Sequence, residues 1–143
     1  MMKGNIGTLM PRVAAEIDKR SNQILRERLG LGLSQFKIML TLLSGDGISQ
    51  SEIAEKLSQT EAAISRQIKL LEQKGLIKIK KSAASGREKS IFLSQKGLDL
   101  TDMSISILND FHSPMFATLS EEQQNQLTSI LLTMREYLRQ NNV

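Results

Sequence analysis

Between Ser49 and Gly75 the chain opens two helices in quick succession, and the polar turn between them is too short to hold any other element. Ser49 is followed three residues later by Glu52. That is the spacing of a capping box, in which a hydroxyl and a carboxylate satisfy the free amides of a helix start, and it predicts a short helix over Gln50–Leu57. Ser58 to Thr60 then offer caps for a second helix. Glu61 suits the positive end of its dipole, and Ile64, Ile68 and Leu71 form one inward stripe as far as the terminator Gly75. Two short helices joined by a tight polar turn make a helix-turn-helix.

The flanking sequence is read around that unit. From Ile6 to Leu29 the residues Ile6, Leu9, Met10, Val13, Ile17, Ile24 and Leu25 recur at three- and four-residue steps, the helical period, until Gly30 and Gly32 stop it. Ser34 opens a second helix in which Phe36, Ile38, Met39, Leu40, Leu42 and Leu43 are apolar almost all round. Such a helix belongs in the middle of the core, and Gly45 to Gly47 end it. Leu76–Lys80 and Ser90–Ser94 alternate as short strands flanking Ser82 to Lys89, which makes a β-hairpin. After Gly97, Leu98, Ile105, Leu108, His112, Met115 and Phe116 share one helical face that ends at Pro114 or just after it. Ser120 with Gln123 is a further capping box, and Leu127, Ile130, Leu131, Met134 and Leu138 mark a last amphipathic helix.

The fold class is therefore α+β and mostly α. A chain of 143 residues with 40% hydrophobic content suits one domain. Within 1–143 the pattern separates a helix-turn-helix lobe over 34–97 from a helical lobe over 5–30 and 98–140. The middle unit can close its own core, whereas the long apolar stripes outside it call for a partner.

Composition removes several function classes. With no Cys there is no disulfide framework, thiolate zinc site, thiol sensor or Cys nucleophile, and a single His leaves no basis for a metal centre. Gly30-Leu31-Gly32 and Gly45-Asp46-Gly47 each lack the third glycine of a nucleotide fingerprint and follow no strand. His112 and Asp110, two residues apart, fall on different helical faces, so His112 is read as structural or solvated rather than as a pH-responsive or ligand-contacting group. No catalytic residue, metal or cofactor is expected. No apolar run is long enough to span a bilayer, and Pro11 and Arg12 interrupt the Met-rich start before a signal core forms, so a soluble cytoplasmic protein with no membrane partner is expected.

Charge points the other way, toward an anionic partner. The net charge is +4, and between Thr60 and Ser90 eight basic residues (Arg66, Lys69, Lys74, Lys78, Lys80, Lys81, Arg87, Lys89) face three acidic ones (Glu61, Glu72, Glu88). All of the excess therefore sits on the second helix and the hairpin. Double-stranded DNA is the natural partner, since each cation that meets a phosphate releases a condensed counterion. With Ile64, Ile68 and Leu71 inward, Glu61, Ala62, Ser65, Arg66 and Lys69 face out on a helix of a size that fits the major groove. Arg66 suits a bidentate guanine contact. Glu61 suits a cytosine amino group or, equally, the helix dipole alone. Arg87, at the hairpin tip, suits a narrow minor groove. The expected DNA-contacting set is Ser49, Gln50, Ser58, Gln59, Thr60, Glu61, Ala62, Ser65, Arg66, Lys69, Lys81, Arg87 and Lys89. The competing reading is an interaction module whose basic patch docks an acidic protein surface; salt dependence and stoichiometry separate the two.

The run from Ser34 to Gly97, with ISQSEIAEKLSQTEAAISRQIKLLEQKGLIKIKKSAASGREKSIFLSQKG at its centre, resembles the winged helix-turn-helix of the MarR (multiple antibiotic resistance regulator) family. The characteristic stretches are Ser51-Glu52-Ile53-Ala54, Ser65-Arg66, Leu71-Glu72-Gln73-Lys74-Gly75-Leu76-Ile77 and Leu93-Ser94-Gln95-Lys96-Gly97, in that order. The resemblance implies a sequence-specific regulator, a repressor, working as an obligate homodimer. Its long N- and C-terminal helices would interlock, and the second helix of each subunit would enter successive major grooves of a pseudo-palindrome. It assigns Arg87 to the wing arginine, with Ser85 where the family usually has the Asp that pairs with it. It also implies a small aromatic or anionic effector held between the dimer helices and the winged unit. Arg12, Lys19 and Arg20 are then the counterions, and Met10, Phe36 and Met39 the apolar wall.

Overall fold

The computed structural model describes residues 4–81 and 89–141. In chain order the elements are α1 (Ile6–Leu29), α2 (Leu33–Thr41), α3 (Gln50–Leu57), α4 (Glu61–Gln73), β1 (Ile77–Lys81), β2 (Lys89–Leu93), α5 (Gln95–Phe116) and α6 (Glu121–Gln140). Side-chain caps set most of the helix starts. Asn5 Oδ1 accepts from the Gly7 amide at 3.0 Å, Ser49 Oγ from Glu52 at 3.2 Å and Thr60 Oγ1 from Ala63 at 3.1 Å. The expected box at α6 is complete, with Ser120 Oγ accepting from the Gln123 amide and Gln123 Oε1 accepting from the Ser120 amide. At α3 only half of the expected box forms: the Ser49 hydroxyl caps the helix and reaches Glu52 Oε1 at 3.4 Å, so the carboxylate meets the hydroxyl.

The tight turn between α3 and α4 depends on Ser58, which holds φ at 52°, the only non-glycine among the described residues in the left-handed region. Its amide returns to the end of α3, and Gln59 N reaches back to Ala54 O at 3.0 Å. The chain can then restart at Thr60 without a linker.

β1 and β2 pair antiparallel with Ile79 opposite Ile91, one residue along from the expected strand limits. A third, one-residue strand was not expected. Ile48 exchanges backbone hydrogen bonds with Ile91, at 3.2 and 2.8 Å, which ties the entry to α3 onto the hairpin. Gly47 makes this possible, because at φ +74° a Cβ there would lie 2.5 Å from the Phe92 ring.

The chain divides into two compact units after Leu108. In the first, Leu25, Leu31, Ile38, Met39, Ile53, Ile64, Leu71, Leu76 and Ile91 are fully buried and Ile77 nearly so, so every element from α1 to β2 contributes to one core. α2 is central to it, as expected, but not on all sides: Leu40 is 43% exposed. α2 also starts one residue early, at Leu33 behind the cap residue Gly32, and ends at Thr41 rather than near Gly45, because the amides of Leu42 and Leu43 fold back by one short turn onto Met39 and Leu40. The N-terminal half of α1 leaves Ile6, Leu9 and Val13 exposed.

In the second unit α6 contains no buried residue, and Ile130, Leu131, Leu132, Tyr137 and Leu138 are all exposed. Phe111 and His112 meet edge to face at 5.4 Å between ring centres. Gln124 Nε2 closes the turn before α6 by donating to the carbonyls of Phe116 and Leu119. Pro114 lies within α5, which continues for two further residues to Phe116.

Candidate nucleic-acid interface

α4 is anchored by Ile64, Ile68 and Leu71, which are 0%, 4% and 0% exposed, as the spacing requires. The opposite face carries Glu61, Ala62, Arg66 and Lys69, all exposed. Ser65, expected on that face, is half-buried, since its position borders the stripe formed by Ile64 and Ile68. Thr60 fixes where the face begins, because its hydroxyl captures one of the four amides that a helix start leaves unpaired. Gln50 Nε2 donates to Glu61 O at 3.4 Å and so links the start of α3 to the first turn of α4. Ser58 and Gln59 are exposed in the turn beside them.

A cavity of about 410 Å³ lies between the starts of α3 and α4 and the hairpin. Ser49, Gln50, Ser51, Glu61, Ser65, Lys69, Glu72 and Lys89 form its polar lining, and Ile68, Ile79 and Ile91 its floor. The structure thus gathers Ser49, Gln50, Glu61, Ser65, Lys69 and Lys89 around one concave surface. Ser51 joins them although it is not in the expected DNA-contacting set; its hydroxyl lies 3.1 Å from that of Ser49, and its place one residue inside a capped start was the available signal. The apolar floor follows from strand alternation. Ile77 and Ile79 turn inward, while Lys78 and Lys80 turn outward, where the Lys80 ammonium sits 5.2 Å from the centre of the Phe92 ring.

Electrostatically this surface is unspent. Among the described residues the ion pairs are Lys37–Asp18 and Arg139–Glu136, so Arg66, Lys69, Lys78, Lys80, Lys81 and Lys89 have no carboxylate within pairing distance. Cations left in water on one face remain available to an anionic polymer. Arg87 and Ser85, the expected wing-tip arginine and the residue in place of its partner, lie outside the described residues.

The residues expected to line an effector site sit in two settings. Met10, Arg12 and Arg20 lie on exposed positions of α1, whereas Phe36 and Met39 are 6% and 0% exposed and belong to the core around α2. Among the described residues no group of His, Cys, Asp and Glu is placed to hold a metal ion, and no helix is long and apolar enough to cross a membrane.

Comparison with known proteins places this geometry. Residues 29–88 match the model of the MarR family. An uncharacterized HTH-type transcriptional regulator of Bacillus subtilis, YdgJ, is 28% identical over 114 residues, covering 80% of this chain and 68% of the relative. A Mycobacterium tuberculosis HTH-type transcriptional repressor is 27% identical over 126 residues, covering 88% of this chain and 90% of its own. Among solved structures, the Staphylococcus aureus MepR–DNA complex superposes with a TM-score of 0.81 at 27% identity, over 95% of this chain and 99% of the other.

Proposed function

We propose that this chain, whose residues 29–88 match the MarR family model, acts as a homodimeric repressor of that family, binding a pseudo-palindromic operator and laying one copy of α4 in each of two successive major grooves. The observation that carries this reading is the outward face of α4. It has a capped start, exposed Arg66 and Lys69, and lysines beside it that form no ion pair among the described residues. Arg66, in the middle of that face, is the base-reading side chain, since a guanidinium matches the two acceptors of guanine in the major groove. Lys69, one turn on and lining the cavity beside the hairpin, meets phosphate. Ser49, Gln50 and Ser51 hold the start of α3 against the backbone, and Arg87 completes the contact at the wing. MepR, solved as a DNA complex on the same fold, supports this mode.

The dimer reading rests on exposed apolar surface. α1 leaves Ile6 72% exposed, and α6 leaves Leu138 65% exposed, on helices whose apolar residues recur at helical spacing. A monomer gains nothing by keeping such stripes in water. Repression then follows from occupancy: a dimer seated across a promoter excludes polymerase, with no chemistry required of the chain.

The test is selection of genomic fragments by purified protein at physiological salt, followed by titration of the enriched fragment. The expected result is a pseudo-palindrome bound by one dimer, with log affinity falling against log salt at about −0.9 per phosphate contacted. Binding that is equally strong on random DNA, with no sequence enriched, would overturn it.

A further inference from the structure

Two stretches that carry the family resemblance away from the DNA face, 71–77 and 93–97, prove to be the two halves of one joint. Behind α4 three successive carbonyls are taken by the chain that opens α5. Lys96 Nζ donates to Lys74 O at 3.0 Å, Ser94 Oγ donates to Gly75 O at 2.6 Å, and Ser94 N donates to Leu76 O at 3.0 Å. The same Ser94 hydroxyl accepts from the Gly97 amide at 3.0 Å, so one oxygen both caps α5 and fastens the exit of α4. At Gly97 a Cβ would fall 2.0 Å from Leu76 O, which shows how closely the two backbones approach. On its other side Lys74, the residue that ends α4, donates its ammonium to Gln35 Oε1 on α2 at 3.1 Å, and Gln35 is only 8% exposed.

An ordinary helix end would need only some partner for its free carbonyls, and water would serve. Here the partners are fixed groups on a single element. The hydroxyl shared between Gly75 and Gly97 leaves α4 little freedom to swing about its exit without breaking the start of α5.

We propose that Ser94 and Lys96 are positioning residues for DNA recognition: they fix the angle between α4 and the first turns of α5, and with it the separation of the two copies of α4 that a dimer offers to DNA. The half-site spacing in this statement rests on the dimeric DNA-binding reading above; the joint itself does not. Neither Ser94 nor Lys96 lines the concave surface beside α4, so their effect is on geometry alone.

The chain contains no Cys, so a pair of spin labels can be placed without background. Cysteines introduced at the exposed positions Ala62 and Asp102, in full-length protein diluted with unlabelled chain, report the distance from α4 to α5 within one protomer. Ser94→Ala and Lys96→Ala are expected to broaden that distribution, and Ser94→Thr to leave it narrow. On DNA the two alanine variants should lose roughly fivefold of the preference for the natural half-site spacing over spacings one base pair longer or shorter, the size of one lost hydrogen bond, with affinity for random DNA unchanged. The proposal is overturned if both variants keep the wild-type distance distribution. It is equally overturned if Lys96→Ala weakens all DNA alike with a flatter salt slope, which would make Lys96 a phosphate contact, or if Ser94→Ala only lowers the melting temperature while spacing preference stays intact. If the wild-type protein enriched no operator, the dimeric DNA-binding reading would fail, and the distance measurement would still decide whether the joint holds α4.

Discussion

Thr60→Ala separates two roles that one residue at the start of α4 can play. Thr60 Oγ1 accepts from the Ala63 amide at 3.1 Å, and its exposed side chain lies where the outward face of α4 begins. Losing the cap costs about 1 kcal/mol, within a range of about 0.5 to 2. For a chain of this size that corresponds to a fall of about 2–4 °C in melting temperature. The helix should survive, because Ile64, Ile68 and Leu71 hold it in the core, so only the first turn frays. That turn carries Glu61 and Ala62, and operator affinity should fall with the melting temperature by the same roughly 1 kcal/mol or less. Thr60→Ser keeps an acceptor in place and should restore both. The assay is a thermal melt beside a fluorescence-anisotropy titration for the wild type and both variants. A Thr60→Ala protein that melts like the wild type yet binds the operator several-fold more weakly would refute the capping argument and make Thr60 a direct DNA contact.

Further outcomes follow from other positions. Gly97→Ala forces a Cβ to within 2.0 Å of the Leu76 carbonyl oxygen and should destabilise the fold by about 3 kcal/mol or more; an unchanged urea midpoint would show that the approach of α5 to the end of α4 is looser than it stands. Arg66→Ala should cost about 1–3 kcal/mol on the operator and little on random DNA, whereas Lys69→Ala should weaken both and reduce the salt slope by about one; equal losses for Arg66→Ala on both DNAs would remove it from base reading. Ile130→Glu places a charge on a residue already 55% exposed in the protomer, so helicity should be retained while sedimentation shows dissociation to monomer, and an unchanged mass would remove that face of α6 from the dimer contact.

The sequence was most legible where a local signal closes its own hydrogen bonds. α1 and α3 begin and end where periodicity and caps placed them, and Thr60, Ser120 and Gly75 mark real boundaries. Legibility failed where a partner distant in sequence decides. Ile48 becomes a strand residue only because Ile91 is there to receive it, and a single residue between Gly47 and Ser49 shows no alternation. The sequence pattern starts the helix after Gly97, yet Gly97 lies inside the first turn of α5, because the need there is for absent bulk against Leu76 and the start is set by Ser94. Phe36 and Met39, which the family resemblance assigns to an effector wall, lie buried in the core, as the nearly all-round apolar pattern of α2 requires. At the proposed interface the outward set on α4 could be read from the stripe opposite it, but not the cavity that brings Ser49, Ser51 and Lys69 to one surface.

Methylation interference on the selected operator tests most directly whether α4 reads sequence from the major groove. Two clusters of guanines whose N7 methylation blocks binding, centred about one helical turn apart and lost at the Arg66 position in Arg66→Ala, are the predicted pattern. Interference confined to backbone phosphates, with no guanine N7 position sensitive in either half-site, would contradict it.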